Sequence, residues 1–307
     1  MSLTGERIGK AMGAVGFGCV SGFAHLTALL PFWALYGIAD VIYVLLYYVA
    51  RYRRKMVRRN LTACFPHKSQ QELKAIERQF YRNFADYIVE TIKLLHISDR
   101  EIKRRMQFGN IEILQQLLDR KRSVVAYFAH TFNWEWAPSV TLHCPRQIER
   151  GDVMCQIYRP LRNERFDKLM LKIRSRFGSV SVPKALALRK LLEYRREGVT
   201  TVTGFMSDQK PSHGDAIHIV DFLNRPTAVI TGTETLARRM GMAAIYWDTV
   251  KLSRGHYRID IKLMAEDASK TAEYELTDRY FKLLEETIRR NPAIWLWSHN
   301  RWKKFKV

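Results

Sequence analysis

The sequence has few cysteines, and they are not spaced for metal binding or for a disulfide framework. Four cysteines are scattered through 307 residues, and none forms a C-x-x-C pair. This usage is typical of reduced thiols that face a cytosol rather than of a secreted, disulfide-linked protein. Internal repeats, low-complexity segments and an obvious linker after residue 60 are also missing. A repeat architecture is therefore not expected.

Acidic residues are scarce relative to basic ones. The chain has 30 Asp and Glu against 51 Lys and Arg, a formal net charge of +21. A surplus of this size implies an anionic partner, which could be nucleic acid, an anionic membrane, or an acidic substrate or carrier.

Charge is nearly absent from residues 11–50, where Asp40 is the only acid and no Lys, Arg or Glu occurs. The densest apolar part, residues 26–50, is long enough to cross about 30 Å of hydrocarbon, and no signal cleavage site follows it. Pro31 and Asp40 interrupt the run, so a kinked or shallowly inserted helix is an alternative to full crossing. A buried core helix is a third interpretation. We predict a membrane anchor over residues 1–50 and a globular domain over residues 51–307.

Basic clusters border both ends of the predicted domain. Residues 51–59, "RYRRKMVRR", carry six cations directly after the apolar run. The positive-inside rule then places residue 51 onward in the cytoplasm, and the cluster suits anionic headgroups. The tail over residues 300–307, "NRWKKFKV", mixes cations with aromatics. That mixture suits a membrane interface or single-stranded nucleic acid.

Between these ends, helical and strand patterns alternate. A capping box at Ser69 and Glu72 precedes a long amphipathic helix over residues 73–95. Further helices are predicted over residues 111–118, 134–142, 164–177, 228–240 and 273–290. Strands are predicted over residues 123–129, 199–206, 216–223, 243–250, 257–264 and 294–297, with a turn at 253–255. The pattern predicts an α/β domain with a mixed sheet flanked by helices.

The stretch "SVVAYFAHTFNWEW", residues 123–136, places a histidine at the end of a buried strand. Functional groups of open α/β sheets lie at the carboxyl ends of the parallel strands. On one regular helix His130 and Glu135 would lie about 140° apart, so their pairing requires His130 in a turn and Glu135 early in the next helix, with Asn133 as N-cap. Glu135 would then bind one imidazole nitrogen and leave the other as a base. No Ser or Cys nucleophile is evident, which indicates that the substrate supplies the hydroxyl.

Simpler interpretations of the same residues exist. His130 would then only end a strand, and Glu135 would only favour a helix start. A zinc site would need a third ligand, but His143, His213 and His218 form no ligand pattern. We therefore predict no metal.

The segment "HTFNWE" (130–135) resembles the H-x-x-x-x-[D/E] motif of glycerolipid-type acyltransferases and, more specifically, the late acyltransferases of lipid A biosynthesis. Further segments resemble that family's motifs in the same order, namely "RRNLTACFP" (58–66), "YRPLRN" (158–163), "SDQKP" (207–211), "FLNRPTAVITG" (222–232) and "WLWSHNRWK" (295–303). The resemblance covers nearly the whole chain. Phe132 and Asn224 stand where the family usually has glycine, and Phe132 is expected to crowd its turn.

The resemblance implies transfer of a fatty acyl group from an acyl carrier protein thioester to a hydroxyl of a phosphorylated glycolipid, a lipid A precursor. It implies an inner-membrane enzyme whose catalytic domain is cytoplasmic, without metal or organic cofactor. His130 would be the general base, and Glu135 would orient it and stabilise the imidazolium. The acidic carrier, the phosphorylated acceptor and an anionic membrane surface all suit the basic chain.

Four further residues receive roles from the same resemblance. Arg159 would meet phosphate or the developing oxyanion, and Asn163 would position its loop or the substrate. Asp208 and Gln209 would shape the pocket at the end of the next strand. In simpler interpretations, Arg159 only pairs with an acid and Asp208 only caps a turn.

Three other functions remain as alternatives. An acyltransferase of the same superfamily could act on a glycerolipid or glycolipid. A membrane thioesterase or hydrolase could use the same pair with water, and a membrane-tethered nucleic-acid-binding protein would also explain the charge. The ordered motifs favour acyl transfer, and therefore no nucleic-acid partner is expected.

Overall fold

The computed structural model describes residues 17–18, 20–212 and 217–302. Predictions on Cys19, His213 and the tail 303–307 lie outside these residues. The described helices are α1 Val20–Leu29, α2 Phe32–Val44, α3 Arg54–Cys64, α4 Gln70–Lys93, α5 Asp99–Arg105, α6 Ile111–Asp119, α7 Pro145–Glu149, α8 Glu164–Arg174, α9 Ala187–Arg196, α10 Gly232–Met240 and α11 Glu275–Arg290. Leu45–Val49 extends α2 as a wider, π-helical turn. Tighter 3₁₀ turns cover Trp134–His143, Lys184–Leu186, Ala268–Lys270 and Pro292–Ile294.

The strands form a seven-stranded mixed sheet and a separate hairpin. They are β1 Met106–Gly109, β2 Val124–Phe128, β3 Val153–Tyr158, β4 Val180–Pro183, β5 Thr201–Met206, β6 Ile217–Asp221, β7 Pro226–Ile230, β8 Ala243–Ser253 and β9 His256–Ala265. The sheet order is β1-β9-β8-β2-β5-β3-β4, and β6 pairs with β7. Neighbours are parallel except β8 and β9, so β1 and β9 run against the other five. The predicted α/β class with a mixed sheet is confirmed.

The central strand β2 explains the apolar run that precedes His130. All five of its residues are buried, because β5 and β8 flank it and helices cover both faces. Val124 pairs with Val202 of β5 and with Ala243 of β8. The carboxyl ends of β2, β5 and β3 therefore meet along one edge of the sheet, where the loops that follow these strands lie next to each other.

Several local signals are confirmed. The Ser69 side chain accepts from the Glu72 backbone N–H and the Glu72 carboxylate accepts from the Ser69 N–H, so the capping box begins α4. Gly241 follows α10 in a left-handed conformation, and the turn between β8 and β9 places Gly255 at φ +71°.

Two secondary-structure predictions are wrong. The helix predicted over residues 228–240 begins only at Gly232, because β7 precedes it and pairs with the strand predicted at residues 216–223. A two-residue turn at Leu223 and Asn224, both with positive φ, joins these strands. Residues 294–297 form no strand, and a single bridge joins Trp295 to Thr131.

The N-terminal helices pack along α4. Pro31 separates α1 from α2, which fits the kinked helix considered as an alternative to a straight span. One face of α2 and its extension is buried, with Leu35, Ala39, Tyr43 and Tyr47 at most 7% exposed. Within the described residues, Phe32–Val49 is the one helical stretch long and apolar enough to cross a membrane. The division of the chain at residue 50 stays a prediction.

Helix α3 holds the C-terminal segment against the domain. The buried Asn60 amide donates to the carbonyls of Trp297 and His299 at 3.0 and 3.1 Å. The predicted "RRNL" and "WLWSHNRW" motifs are therefore in direct contact. Because Trp295 lies in the same segment, α3 fixes a residue that reaches the sheet edge described above.

Replacing Asn60 by alanine leaves the buried Trp297 carbonyl and the partly buried His299 carbonyl without their donor. We expect Asn60→Ala to lower the free energy of unfolding by about 2–3 kcal/mol. Urea unfolding of the purified chain measures this change. Thr62→Ala, at an exposed position of the same helix, serves as the control and should change stability by no more than about 0.5 kcal/mol. Equal effects of the two substitutions would contradict the role given to Asn60.

Candidate active site

His130 is joined to a buried carboxylate at the edge of the sheet. It follows β2, and Asp208 follows the neighbouring strand β5. The Nδ1 atom of His130 lies 2.7 Å from Oδ1 of Asp208, and the His130 backbone N–H donates to Oδ2 at 3.1 Å. Since an ionised carboxylate only accepts, Nδ1 carries the proton. The other ring nitrogen, Nε2, is then the basic one.

Trp295 supplies a third donor to the same carboxylate. Its indole Nε1–H donates to Oδ2 of Asp208 at 2.8 Å, and Asp208 is 2% exposed. Burial alone would raise the pKa of Asp208. The charge of His130 and the hydrogen bonds from His130 and Trp295 outweigh burial and lower this pKa to about 2. Asp208 is therefore ionised at neutral pH.

Gln209 contacts the basic nitrogen. Its Nε2 lies 3.1 Å from Nε2 of His130, which fits an amide N–H that donates to the unprotonated ring nitrogen. Within the part of the chain that the structure describes, neither ring nitrogen contacts a hydroxyl or a thiol. Asp208 and Gln209, both predicted as site residues, therefore contact His130 directly, and these contacts were not foreseen from the sequence.

Glu135 does not orient His130, contrary to the prediction. Asn133 caps the following 3₁₀ helix as expected and accepts from the Glu135 N–H. The Glu135 carboxylate, however, accepts from Arg174 Nη2 and Nε at 2.7 and 2.9 Å and from the Trp134 indole at 3.2 Å. The partly buried guanidinium of Arg174 holds this carboxylate at the cavity wall, away from the imidazole. The sequence carries no evident signal that α8 would place an arginine there.

Phe132 takes a backbone conformation that does not require glycine in the turn after His130. Its backbone is outside the left-handed region, and its ring is fully buried. The ring packs against Phe80, Phe84, Tyr87 and Trp134, with centroids 5.5–6.2 Å apart. The side chain therefore points into the core beside α4.

Asn224 replaces its expected glycine in a different way. It takes φ +62°, a conformation that asparagine tolerates better than most residues. Its side-chain amide also donates to the Cys64 carbonyl at 2.9 Å.

A cavity of about 910 Å³ opens beside His130. Its deeper wall is apolar and includes Phe128, Met154, Val202, Leu236 and Trp247, all buried. The polar side chains of His130, Glu135, Arg174 and Gln209 also line it. The cations in its lining are Arg159, Arg174, Lys184 and Lys210. Arg174 is paired with Glu135. The cavity thus joins a basic entrance to an apolar interior, with the imidazole between them.

Arg159 and Asn163 lie on the loop after β3. Arg159 lines the cavity, is exposed, and forms no hydrogen bond or ion pair with the described residues. The simpler interpretation, in which Arg159 pairs with an acid, is therefore not supported. Asn163 is the N-cap of α8 and accepts from the backbone N–H groups of Arg165 and Phe166. Asn163 thus positions its loop.

No group of three or more metal-ligating side chains occurs within the residues that the structure describes.

Glu90 of α4 binds Asn133 in the turn that follows His130. Its role was not predicted from the sequence. It is fully buried, and burial raises the pKa of its carboxyl group. The carboxylate accepts from the Asn133 amide at 3.0 Å, from the Tyr257 hydroxyl at 3.0 Å and from the Tyr36 hydroxyl at 3.1 Å. The Glu90 backbone carbonyl also accepts from the Trp136 indole. One residue therefore links α2, β9 and the segment that carries the site.

Truncating Glu90 leaves three donors, two of them fully buried, without their acceptor. We expect Glu90→Ala to lower the free energy of unfolding by at least about 3 kcal/mol, measured by urea unfolding. Glu286→Ala, on the exposed face of α11, is the matched glutamate and should stay within about 0.5 kcal/mol of the parent. A Glu90→Ala variant as stable as the control would refute the supporting role.

The Asp208 pKa predicts an acid-dependent loss of stability. Its folded-state pKa of about 2 lies below the ordinary 3.8, so its ionisation stabilises the fold above about pH 4, and this contribution disappears as pH falls toward 2. The stability difference between the parent and Asp208→Asn should shrink by roughly 2 kcal/mol between pH 5 and pH 2. Urea unfolding at each pH measures it. A difference that does not change with pH would contradict this ionisation.

Comparison with known proteins identifies the family to which this chain belongs. The family model for bacterial lipid A biosynthesis acyltransferases matches residues 13–304. A lipid A biosynthesis lauroyltransferase of Escherichia coli (strain K12) is 24% identical over 283 residues, covering 92% of this chain and 89% of the relative. A lipid A biosynthesis palmitoleoyltransferase of the same organism is 24% identical over 252 residues, covering 82% and 79%. The chain belongs to the bacterial lipid A biosynthesis acyltransferase family, and it is an acyltransferase.

Proposed function

We propose that this chain transfers a fatty acyl group from an acyl carrier protein thioester to a hydroxyl of a phosphorylated glycolipid precursor of lipid A. The observation that carries the proposal is the His130–Asp208 pair at the junction between the basic entrance and the apolar interior of the cavity. The interior suits the acyl chain, and the entrance suits phosphate. Family membership supports acyl transfer in lipid A biosynthesis.

The reaction begins with proton transfer to His130. The acceptor hydroxyl replaces the Gln209 amide at Nε2, and Nε2 removes its proton as the oxygen attacks the thioester carbonyl. The carbonyl carbon gains the C–O bond and loses the C–S bond, and the thiol leaves with the proton that His130 returns. Asp208 holds the Nδ1–H tautomer and stabilises the imidazolium, the role first expected of Glu135. Glu135 contributes by fixing Arg174 at the cavity wall.

Charge positions the two substrates. Arg159, which has no partner among the described residues, binds an acceptor phosphate at the entrance. The net charge of +21 favours association with an acidic carrier and with an anionic membrane surface. The basic cluster at residues 51–59 suits the anionic headgroups of the cytoplasmic leaflet, which supports a location of the domain on that side of the inner membrane.

The first test separates the two carboxylates. Four purified chains are compared: the parent, His130→Ala, Asp208→Asn and Glu135→Gln. Each is incubated with acyl carrier protein thioesters and a lipid A precursor. The mass of the lipid product is then measured by mass spectrometry. We expect the parent to add one acyl chain, and the His130 and Asp208 variants to lose at least about 10²-fold in kcat. Glu135→Gln should retain more activity than Asp208→Asn, because its carboxylate does not contact the imidazole.

Thermal unfolding of each variant serves as the control for folding. The assignment of the orienting role is wrong if a folded Asp208→Asn chain is as active as the parent while Glu135→Gln is inactive. Free fatty acid without acylated lipid would favour the hydrolase alternative. Acylation of glycerolipids in preference to the lipid A precursor would favour the other acyltransferase alternative.

A further inference from the structure

The N-terminal helices are fastened to α4 over residues 28–47. At one end the Lys93 ammonium donates to the carbonyls of Ala28 and Leu30 at 2.9 and 2.8 Å. Near the other end the Tyr47 ring packs against the Tyr81 ring of α4, with centroids 5.3 Å apart. Helix α4 runs antiparallel to α2. Successive residues of α2 therefore contact residues of α4 with decreasing numbers.

Between these two ends, charged side chains of the domain contact α2. Asp40 pairs with Arg254 at 2.7 Å, and Arg254 pairs with Asp86 of α4 at the same distance. Farther along, the Arg82 guanidinium of α4 lies 5.2 Å from the centre of the Tyr43 ring. The buried Glu90, described above, accepts from α2 between Lys93 and Asp86. Along its length, α2 therefore contacts ionisable side chains of the domain.

This packing is incompatible with a helix that crosses a bilayer. If α2 crossed, Arg82, Asp86, Glu90 and Arg254 would lie at the depth of the hydrocarbon. An ionised side chain there costs about 3 kcal/mol even on the mildest insertion scales, so the set would cost roughly 10 kcal/mol or more. A helix that lies flat avoids the cost, since α4 stays on the aqueous side.

The opposite face of the two helices is apolar and uncovered. Phe23, Leu26, Trp33, Val41 and Val49 are each 60–79% exposed. Cations follow directly at Arg51, Arg53 and Lys55. An apolar face edged by cations suits the interface of an anionic leaflet. A second copy of the chain is a poorer occupant, because each copy carries a net charge of +21.

The same apolar surface reaches the cavity entrance. Phe17, just before α1, meets Phe166 of α8 edge-on, with ring centroids 5.3 Å apart. Leu161 and Leu188 line the entrance and are about half exposed, at 46% and 45%. Phe166 and Leu192 are 40% and 41% exposed and lie outside the cavity lining. We call these four residues the entrance patch.

We propose that α1 and α2 lie in the plane of one anionic leaflet without crossing it, and that the entrance patch contacts the same leaflet. The cavity would then open directly onto the lipid phase that holds the acceptor. This inference rests on the membrane partner of the proposed function. It adds the orientation of the chain and the lipid-facing residues.

The first experiment measures depth. Single cysteines replace Leu26, Trp33, Val41 or Val49 in the full chain carrying Cys19→Ser, since Cys64, Cys144 and Cys155 are buried. Each is spin-labelled and bound to phosphatidylethanolamine–phosphatidylglycerol vesicles. A flat helix predicts one shared depth, about 5–10 Å below the headgroups. A crossing helix predicts depths that change steadily over about 35 Å from residue 26 to residue 49.

A label at Ile219, an exposed apolar residue of the hairpin outside both surfaces, is the control and should stay in water. A steady change of depth along the helix would overturn the proposal. So would labels that remain in water while the chain sediments as a dimer.

The second experiment tests the entrance patch. Phe166→Ser/Leu192→Ser is compared with Ile219→Ser for vesicle sedimentation, and for acyl transfer to acceptor held in vesicles or dispersed in detergent. We expect the double variant to lose about tenfold in vesicle binding and in transfer from vesicles, with transfer in detergent unchanged. The control should match the parent throughout.

Unchanged vesicle binding, or an equal loss in detergent, would overturn the role of the patch. Failure of the proposed function has a different signature, because a parent chain that acylates no acceptor in detergent still gives a depth profile and a sedimentation result.

Discussion

The arrangement of the site depends on one buried carboxylate. Asp208 accepts from the backbone and ring of His130 and from the indole of Trp295, so it joins the ends of β2 and β5 to the C-terminal segment. A buried ionised group is tolerated only when its oxygens are satisfied, and these donors provide that. The α3 contact with the C-terminal segment thereby becomes part of the site, since it holds the segment that places Trp295.

A second buried carboxylate organises the opposite side of the same turn. Glu90 connects the N-terminal helix, through Tyr36, to Asn133, only three residues beyond His130. Helix α2, which we propose contacts lipid, and the turn that bears His130 thus share one acceptor. The N-terminal helices are therefore part of the structural support of the site.

Features that depend on neighbouring residues were predictable from the sequence. The fully apolar β2, the capping box of α4, the Asn133 cap and the glycine turns all express local rules. The hairpin that includes β7 was missed because its two-residue turn contains neither an Asn-Gly nor an Asp-Gly pair, and Leu223 occupies a left-handed position that leucine rarely takes. The sequence of such a turn does not indicate that the residues after it form a strand.

The partner of His130 was not predictable by the same rules. Asp208 is 78 positions from His130 along the chain, and Arg174 is 39 positions from Glu135. Spacing showed only that Glu135 could approach the imidazole. Competition decided the outcome, because a guanidinium offers a carboxylate two charged donors, whereas an imidazole offers one. Long-range competition of this kind leaves no trace in a motif.

Phe132 shows how a sequence signature can be narrower than the structure it represents. Its family motif is usually written with glycine, although the backbone here needs no left-handed conformation and the ring fills a space between aromatic residues of α4. A search pattern that demands glycine would discard this chain while its imidazole, carboxylate and cavity are all in place. A pattern that leaves the position open, and instead asks for aromatic residues at the facing positions of α4, would retain it. In this chain, contacts between position 132 and distant aromatic residues of α4 take the place of the usual glycine.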